Sequence, residues 1–214
     1  NLLFIPDRNR DDIPDAEPEI KLDGWGRQDR HETLNSFLWG PDGWLYGTHG
    51  VFTHSNVGKP GSPDSERQKI NAGVWRYHPL NETFEVFAYG TSNPWGLDFD
   101  ENGQAFVTAC VNPHLFHIIQ GGRYHRQAGR HFNPYVYDDI KTIADHRHPS
   151  AHGGARFYLA DQFPEKYRKK LFMCNIHMHG VLVDETKRKG SGYVASDPKW
   201  GGTFSICLLY TSPS

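Results

Sequence analysis

The chain has 214 residues, with 23 Lys and Arg against 25 Asp and Glu, and this balance gives no electrostatic argument for nucleic acid or an anionic membrane as partner. Hydrophobic residues make up 37% and aromatics 14%, beside 22 Gly and 14 Pro, which is the profile of a turn-rich globular domain and excludes a disordered one. No stretch approaches the about 18 consecutive apolar residues that a membrane-spanning helix needs.

The chain opens in mid-element at Asn1-Leu-Leu-Phe-Ile5 without Met, so targeting cannot be read from it. Residues 7–15 then alternate oxygen side chains at Asp7, Asn9, Asp11 and Asp15. A hard cation wants several oxygens on one side of a turn, so this is a candidate Ca²⁺ loop. Asp12 replaces the expected Gly and loop position twelve lacks Glu, which leaves a solvated acidic turn as an equal alternative.

The stretch from Leu34 to Thr48 predicts a hairpin: a strand to Trp39, a turn on Gly40-Pro41-Asp42-Gly43, and a second strand from Trp44. Pro fixes φ at the first central turn position and Gly accepts the positive φ after Asp. A polar loop from Thr53 to Lys69 and two strand-like runs, 73–78 and 83–89, follow. The hairpin then returns in register about 60 residues on, with Phe37 matching Leu97, Trp39 Phe99, Asp42 Asn102, Gly43 Gly103, Tyr46 Phe106 and Thr48 Thr108. A looser third copy runs from Ala155 to Phe172 with about eight extra residues, Asp161 to Arg168, in its turn. Beyond a turn at Pro164 to Lys170, no amphipathic helix is expected.

A hairpin plus two further strands per repeat is the content of a propeller blade. The fold class expected is therefore an all-β propeller, here an incomplete fragment of about three to four blades at this period. Residues 1–185 form that partial domain. Residues 186–214, Lys/Gly/Ser-rich and ending in Cys207-Leu-Leu-Tyr-Thr-Ser-Pro-Ser214, are expected to be a linker and a non-native tail. The three cysteines, Cys110, Cys174 and Cys207, lack metal-type spacing, and Cys110 and Cys174 are expected as buried free thiols that close repeat strands.

The chain has thirteen histidines, many of them where blade loops would converge on a central channel. His31 and Asn35 precede the first hairpin, Thr91-Ser92-Asn93 the second, and His146, His148 and His152 the third. His114 and His117 follow the second hairpin, and His177 and His179 the third. The pairs His146/His148 and His177/His179 are spaced so that extended chain puts both rings on one side. Neutral imidazoles suit Zn, Cu or Fe, so these four are candidate metal ligands.

Several strings together carry a resemblance: R-H-E-T-L-N-S-F-L-W-G-P-D-G-W-L-Y-G (30–47), G-V-W-R-Y-H-P (73–79), Y-G-T-S-N-P-W-G-L-D-F (89–99) and Q-G-G-R-Y (120–124). With H-G-G-A-R-F-Y and F-P-E-K-Y-R-K-K-L-F within 152–172, the chain resembles the glucose/sorbosone dehydrogenase propellers, most closely the membrane-bound dehydrogenase propellers of planctomycete type. The resemblance implies a six-bladed fold, pyrroloquinoline quinone with Ca²⁺, a sugar or polyol substrate and an extracytoplasmic location. It implies His31 as general base, Asn35, Ser92 and Asn93 as cofactor contacts, and the Asn112-Pro113 loop beside the cofactor's calcium. Ser92 stands where the family has Arg, and Arg30 where it has an orienting Asp, with Asp29 one residue earlier. A c-type haem elsewhere in the parent protein would be the electron acceptor. The alternative is a non-catalytic propeller that binds carbohydrate or protein, because a fold does not fix a function.

Overall fold

In the computed structural model, residues 1–91, 93–132 and 137–205 are described, and their helical content is two single 3-10 turns, Asp64–Glu66 and Glu165–Tyr167. Ser92, residues 133–136 and the tail 206–214, which includes Cys207, lie outside the described residues. Strands β1 (Leu2–Phe4) and β2 (Glu19–Leu22) pair as an antiparallel ribbon. The first blade then opens with β3 (Asn35–Trp39) and β4 (Leu45–His49). A small ribbon of β5 (Ser55–Val57) and β6 (Gln68–Ile70) intervenes before β7 (Gly73–His78) and β8 (Thr83–Thr91) complete the blade.

The second blade is the meander of β9 (Pro94–Phe99), β10 (Ala105–Ala109) and β11 (Leu115–Ile118). The next strand, β12 (Arg123–Arg126), leaves it and lies parallel to β8 at the outer edge of the first blade. The third blade comprises β13 (His152–Phe157), β14 (Leu171–Asn175), β15 (Gly180–Lys189) and β16 (Gly192–Ser196). A last strand, β17 (Thr203–Ser205), pairs with the first three residues of β15. The sheet therefore does not stop at the boundary expected at residue 185. β15 runs past it, turns at Gly190 with φ +62°, and returns as β16 from Gly192 to Ser196. The Lys/Gly/Ser composition of this stretch is that of an exposed hairpin.

The repeat register is reproduced in the pairing. Trp39 opposes Leu45, Phe99 opposes Ala105 and Phe157 opposes Leu171. Gly43 and Gly103 take φ of +81° and +72° in equivalent turns, the left-handed geometry that glycine adopts without a Cβ penalty. The inner strands β3, β9 and β13 lie side by side, as the first strands of successive propeller blades do.

Strand alternation decides which blades pack together. On one face of the second blade, Val107 and Phe116 bury against Tyr46, Val74 and Phe87 of the first. On its other face, Phe106 and Leu115 bury against Phe157, Leu171, Met173 and Leu182 of the third. The far side of the first blade is covered by the N-terminal ribbon and β5–β6, through Leu2, Leu22, Val57 and Ile70 on Trp75 and Tyr77. Each such large side chain contributes about 1.5–3 kcal/mol by leaving water. The matched threonines stitch the blades: Thr48 Oγ1 donates to Pro94 O at 3.1 Å, and Thr108 Oγ1 donates to Gly154 O at 2.8 Å.

Cys110 is half-buried, but Cys174, expected inside, is exposed. It occupies the position of Thr48 and Thr108 on the side where a following blade would stand, and no such blade is present among the described residues.

Candidate active site at the channel mouth and a buried histidine cluster

The segment before the first hairpin is held by reciprocal bonds to the loop after it. Asp29 N donates to Thr53 Oγ1 at 2.9 Å and Thr53 Oγ1 donates to Asp29 O at 2.7 Å. Glu32 is buried with its carboxyl against Gly50, where it accepts from the Phe52 amide, and Gly50 N donates to Glu32 O at 2.9 Å. Burial raises the Glu32 carboxyl above the usual carboxylate range, only partly opposed by the Phe52 amide. This anchored segment presents His31 to solvent with its side chain 86% exposed. The Asp29 carboxylate accepts the His31 backbone N–H at 2.9 Å and stands 3.3 Å from its Nδ1. Asn35 Nδ2 donates to His31 O and ties the segment to the start of β3.

Asn35, Ser36 and Phe37 line a hollow of about 390 Å³, with Trp95, Gly96 and Leu97 of β9 and Gly154, Ala155 and Arg156 of β13 as its other walls. A Cβ placed on Gly154 would point into open space, and a Cβ on Gly96 would strike the Gly154 backbone at 2.3 Å. The hollow is thus set by two glycines where β9 and β13 approach each other. Its cation is Arg156, 3.4 Å from Asp98, and Asp98 also accepts the Phe157 N–H at 2.6 Å. Asn93 lies just before the hollow; its Oδ1 accepts from Trp95 Nε1 and its backbone O accepts from Cys110 N at 2.8 Å.

A planar, anionic quinone fits these walls: the aromatic rings of Phe37 and Trp95, the clearance at Gly154 and the Arg156 guanidinium. Asn112 Nδ2 donates to His148 O at 2.7 Å, away from the hollow, and Asn112 Oδ1 is buried with no partner. The ligands that the resemblance implies for calcium are backbone carbonyls of this loop, to which Asn112 Oδ1 adds one side-chain oxygen toward the about six to eight that calcium takes. A larger hollow of about 530 Å³, bounded by Arg67, Lys69 and Arg123, lies on the outer side of the first blade and holds none of the candidate residues.

The N-terminal Ca²⁺ candidate takes its acidic-turn form. Asp7 accepts the backbone N–H groups of Arg10, Asp11 and Asp12, Asp11 accepts that of Ile13, and Asp15 that of Arg8. The oxygens serve the loop itself instead of one common point.

The two H-x-H pairs separate. His177 and His179 sit in the exposed β14–β15 turn, and His179 has φ +49°, so the extended-chain spacing does not apply there. His146 and His148 instead join two residues that spacing did not link to them, His114 just before β11 and Asp184 in β15. Their donor atoms all lie within 4.8 Å of one another. His114 Nε2 is 2.9 Å from Asp184 Oδ2; His146 Nε2 is 2.9 Å and His148 Nε2 3.3 Å from Oδ1. His146 Nε2 and His148 Nε2 stand 2.9 Å apart. His114 and Asp184 are fully buried. Burial alone would raise the Asp184 carboxyl, but hydrogen bonds from the three imidazoles hold it well below the usual carboxylate range. The same carboxylate raises His146 to about 9. A carboxylate inside the apolar run Gly180-Val-Leu-Val-Asp184 was the one sequence signal for this partner.

His152 stacks on His114 with centroids 4.7 Å apart, and burial, with the neighbouring His114, lowers it to about 4. His117 is structural: its Nε2 lies 3.0 Å from Gln104 Oε1 and its ring packs on Phe106 and Tyr193.

The profile of a family described as a domain of unknown function, DUF7133, matches residues 1–200. No curated protein sequence matches the chain. Among solved structures, a protein described as an oxidoreductase (glucose dehydrogenase) of Thermus thermophilus superposes with a TM-score of 0.52 at 18% identity, over 78% of this chain and 51% of that one. The PQQ-bound aldose sugar dehydrogenase of Streptomyces coelicolor gives 0.52 at 16% identity, over 80% and 49%. The apo soluble aldose sugar dehydrogenase of Escherichia coli gives 0.50 at 14% identity, over 90% and 65%. At these identities the likeness is one of fold, and the chain spans about half the length of the first two.

Proposed function

The chain belongs to the DUF7133 family, and from that premise we propose that it is part of an oxidoreductase that oxidises a sugar or polyol hydroxyl at the mouth of the propeller channel. The observation that carries the reading is the His31–Asp29 pair on a segment whose backbone is tied by Asn35, itself a wall residue of a hollow lined by two aromatic residues and one guanidinium. The fold shared with sugar dehydrogenases, one of them PQQ-bound, supports it.

His31 accepts the hydroxyl proton at Nε2 while Asp29 holds Nδ1–H and stabilises the imidazolium. Phe37 and Trp95 supply apolar walls for a planar group, and Arg156 would balance its carboxylates. Asn93 and Asn35 position the rim. A bound quinone would supply the acceptor for the hydride that leaves the carbinol carbon, so two electrons and one proton leave that carbon and a second proton goes to His31. A haem-type acceptor elsewhere in the parent protein, outside the cytoplasm, would take up the electrons. No helix among the described residues is long and apolar enough to cross a membrane.

The test is turnover of an aldose and polyol panel by the full-length protein, with pyrroloquinoline quinone, Ca²⁺ and a dye acceptor. His31→Gln should lower kcat by about 10²–10⁴ with the thermal midpoint unchanged. Retained turnover in the variant, or no turnover of any sugar by the intact protein, overturns the reading.

A further inference from the structure

Three imidazoles and one carboxylate converge on a common point between the second and third blades, and they arrive from three separate segments. His114 comes from the loop just before β11, His146 and His148 from the crossover into the third blade, and Asp184 from the middle of β15. His114 and Asp184 are 70 residues apart in sequence. A single buried carboxylate balances one imidazolium, and here three ring nitrogens face it. A divalent cation bound by neutral imidazoles removes the mutual repulsion and neutralises the carboxylate in one step.

The spacing agrees with that role. Tetrahedral ligands at about 2.0–2.1 Å from zinc stand about 3.3 Å from one another. The donor separations here run from 2.9 to 3.3 Å for the direct pairs and stay within 4.8 Å for all. The outer shell agrees at His146, whereas His114 Nδ1 is buried with no partner. A metal-bound histidine passes its second ring N–H to a carboxylate or carbonyl, and His146 Nδ1 lies 2.8 Å from Asp145 Oδ1. Asn112 Nδ2 donates to His148 O and fixes the crossover that carries the pair. Asp197 Oδ1, 3.5 Å from His148 Nε2 and half exposed, marks the solvent side by which an ion enters.

We propose that His114, His146, His148 and Asp184 bind one first-row divalent ion of the zinc type, which staples the second blade to the third. Nitrogen donors in this number select against calcium and magnesium, which take oxygen. The site is separate from the hollow at the inner strands, so it stands whether or not the channel mouth is catalytic. Closing a loop of this length with a metal clip favours the folded state by restricting the unfolded chain.

The experiment is metal analysis of the purified full-length protein, followed by Co²⁺ and Zn²⁺ titration of the stripped protein. The expected result is one equivalent bound, with the visible absorption of tetrahedral Co²⁺, and a thermal midpoint that falls on stripping and recovers with Zn²⁺. His146→Gln, at the rim of the cluster, should weaken binding by at least about 100-fold, and Asp145→Asn by about 10–100-fold. The double variant His177→Gln/His179→Gln should bind as wild type does. Asp184→Asn carries the risk of misfolding, and the rim variant keeps the test independent of it. Stripped protein that binds Co²⁺ no more tightly than His146→Gln, or that melts unchanged with Zn²⁺, overturns the proposal. So does a site abolished by the His177/His179 double variant.

Discussion

His49 gives the protein a predictable acid sensitivity. Its ring is fully buried at the end of β4, with Nδ1 2.8 Å from Gly50 O and Nε2 2.7 Å from Ser55 Oγ. Ser55 Oγ also accepts the Gly26 N–H at 2.8 Å, so its own hydrogen is free to go to Nε2. One donor and one acceptor satisfy a neutral imidazole. Burial lowers the ring to about 4, against a smaller upward pull from the Gly50 carbonyl and with a further small downward push from His54.

In the unfolded chain the same histidine titrates near about 6.5. Between these values the unfolded state holds a proton that the folded state refuses. Stability is therefore complete above about pH 6.5, falls as the pH drops toward 4, and stays low below that. At about 1.36 kcal/mol per pH unit the full loss is about 3 kcal/mol, of which about 2.5 kcal/mol is reached at pH 4.5. Urea unfolding followed by tryptophan fluorescence, for wild type and His49→Gln from pH 7.5 to 4.5, isolates this contribution because other titrating groups are common to both proteins. Trp25, stacked on His49 at 6.2 Å, serves as a local reporter. The penalty of the substitution should shrink by about 2.5 kcal/mol across that range. Parallel pH profiles for the two proteins would refute the reasoning.

The repeat makes two further predictions for stability. Thr48→Val and Thr108→Val each strand a carbonyl at a blade boundary and should each cost about 1–2 kcal/mol in urea titrations; unequal costs, one of them near zero, would mean that the two bonds are not equivalent stitches. Gly96→Ala places a Cβ 2.3 Å from the Gly154 backbone, which cannot swing away as a side chain would. It should cost at least about 1–3 kcal/mol by the same measurement, whereas Gly153→Ala, whose Cβ meets nothing within 4 Å, should be nearly neutral.

The blades were legible because their signal is local. Trp39 and Phe99 sit one residue before equivalent turns, and Gly43 and Gly103 supply the positive φ those turns need. The position of β12 was not legible, since only tertiary pairing places Arg123–Arg126 parallel to β8. The two H-x-H pairs look alike in sequence, and what separates them is non-local. His146 and His148 meet Asp184 across the blade interface, whereas His177 and His179 lie in a tight turn that denies them the geometry of extended chain. Asp29 stands beside His31 because the segment bends so that one carboxylate reaches both the backbone N–H and the ring. In the candidate calcium loop the Asp7 carboxylate accepts the backbone N–H groups of its own turn, an arrangement that the alternating pattern alone does not specify.

The central claim is that the hollow between β3, β9 and β13 holds a planar anionic quinone within reach of His31. Equilibrium titration of the full-length protein with pyrroloquinoline quinone, followed by quenching of Trp95 and its neighbours, tests this without turnover. The account predicts one equivalent bound, affinity reduced at least about tenfold by Arg156→Gln through loss of a charge-assisted contact, and affinity kept in His31→Gln. Absence of saturable binding, or binding unchanged by Arg156→Gln and by a bulky Gly154→Leu block of the hollow, would contradict it.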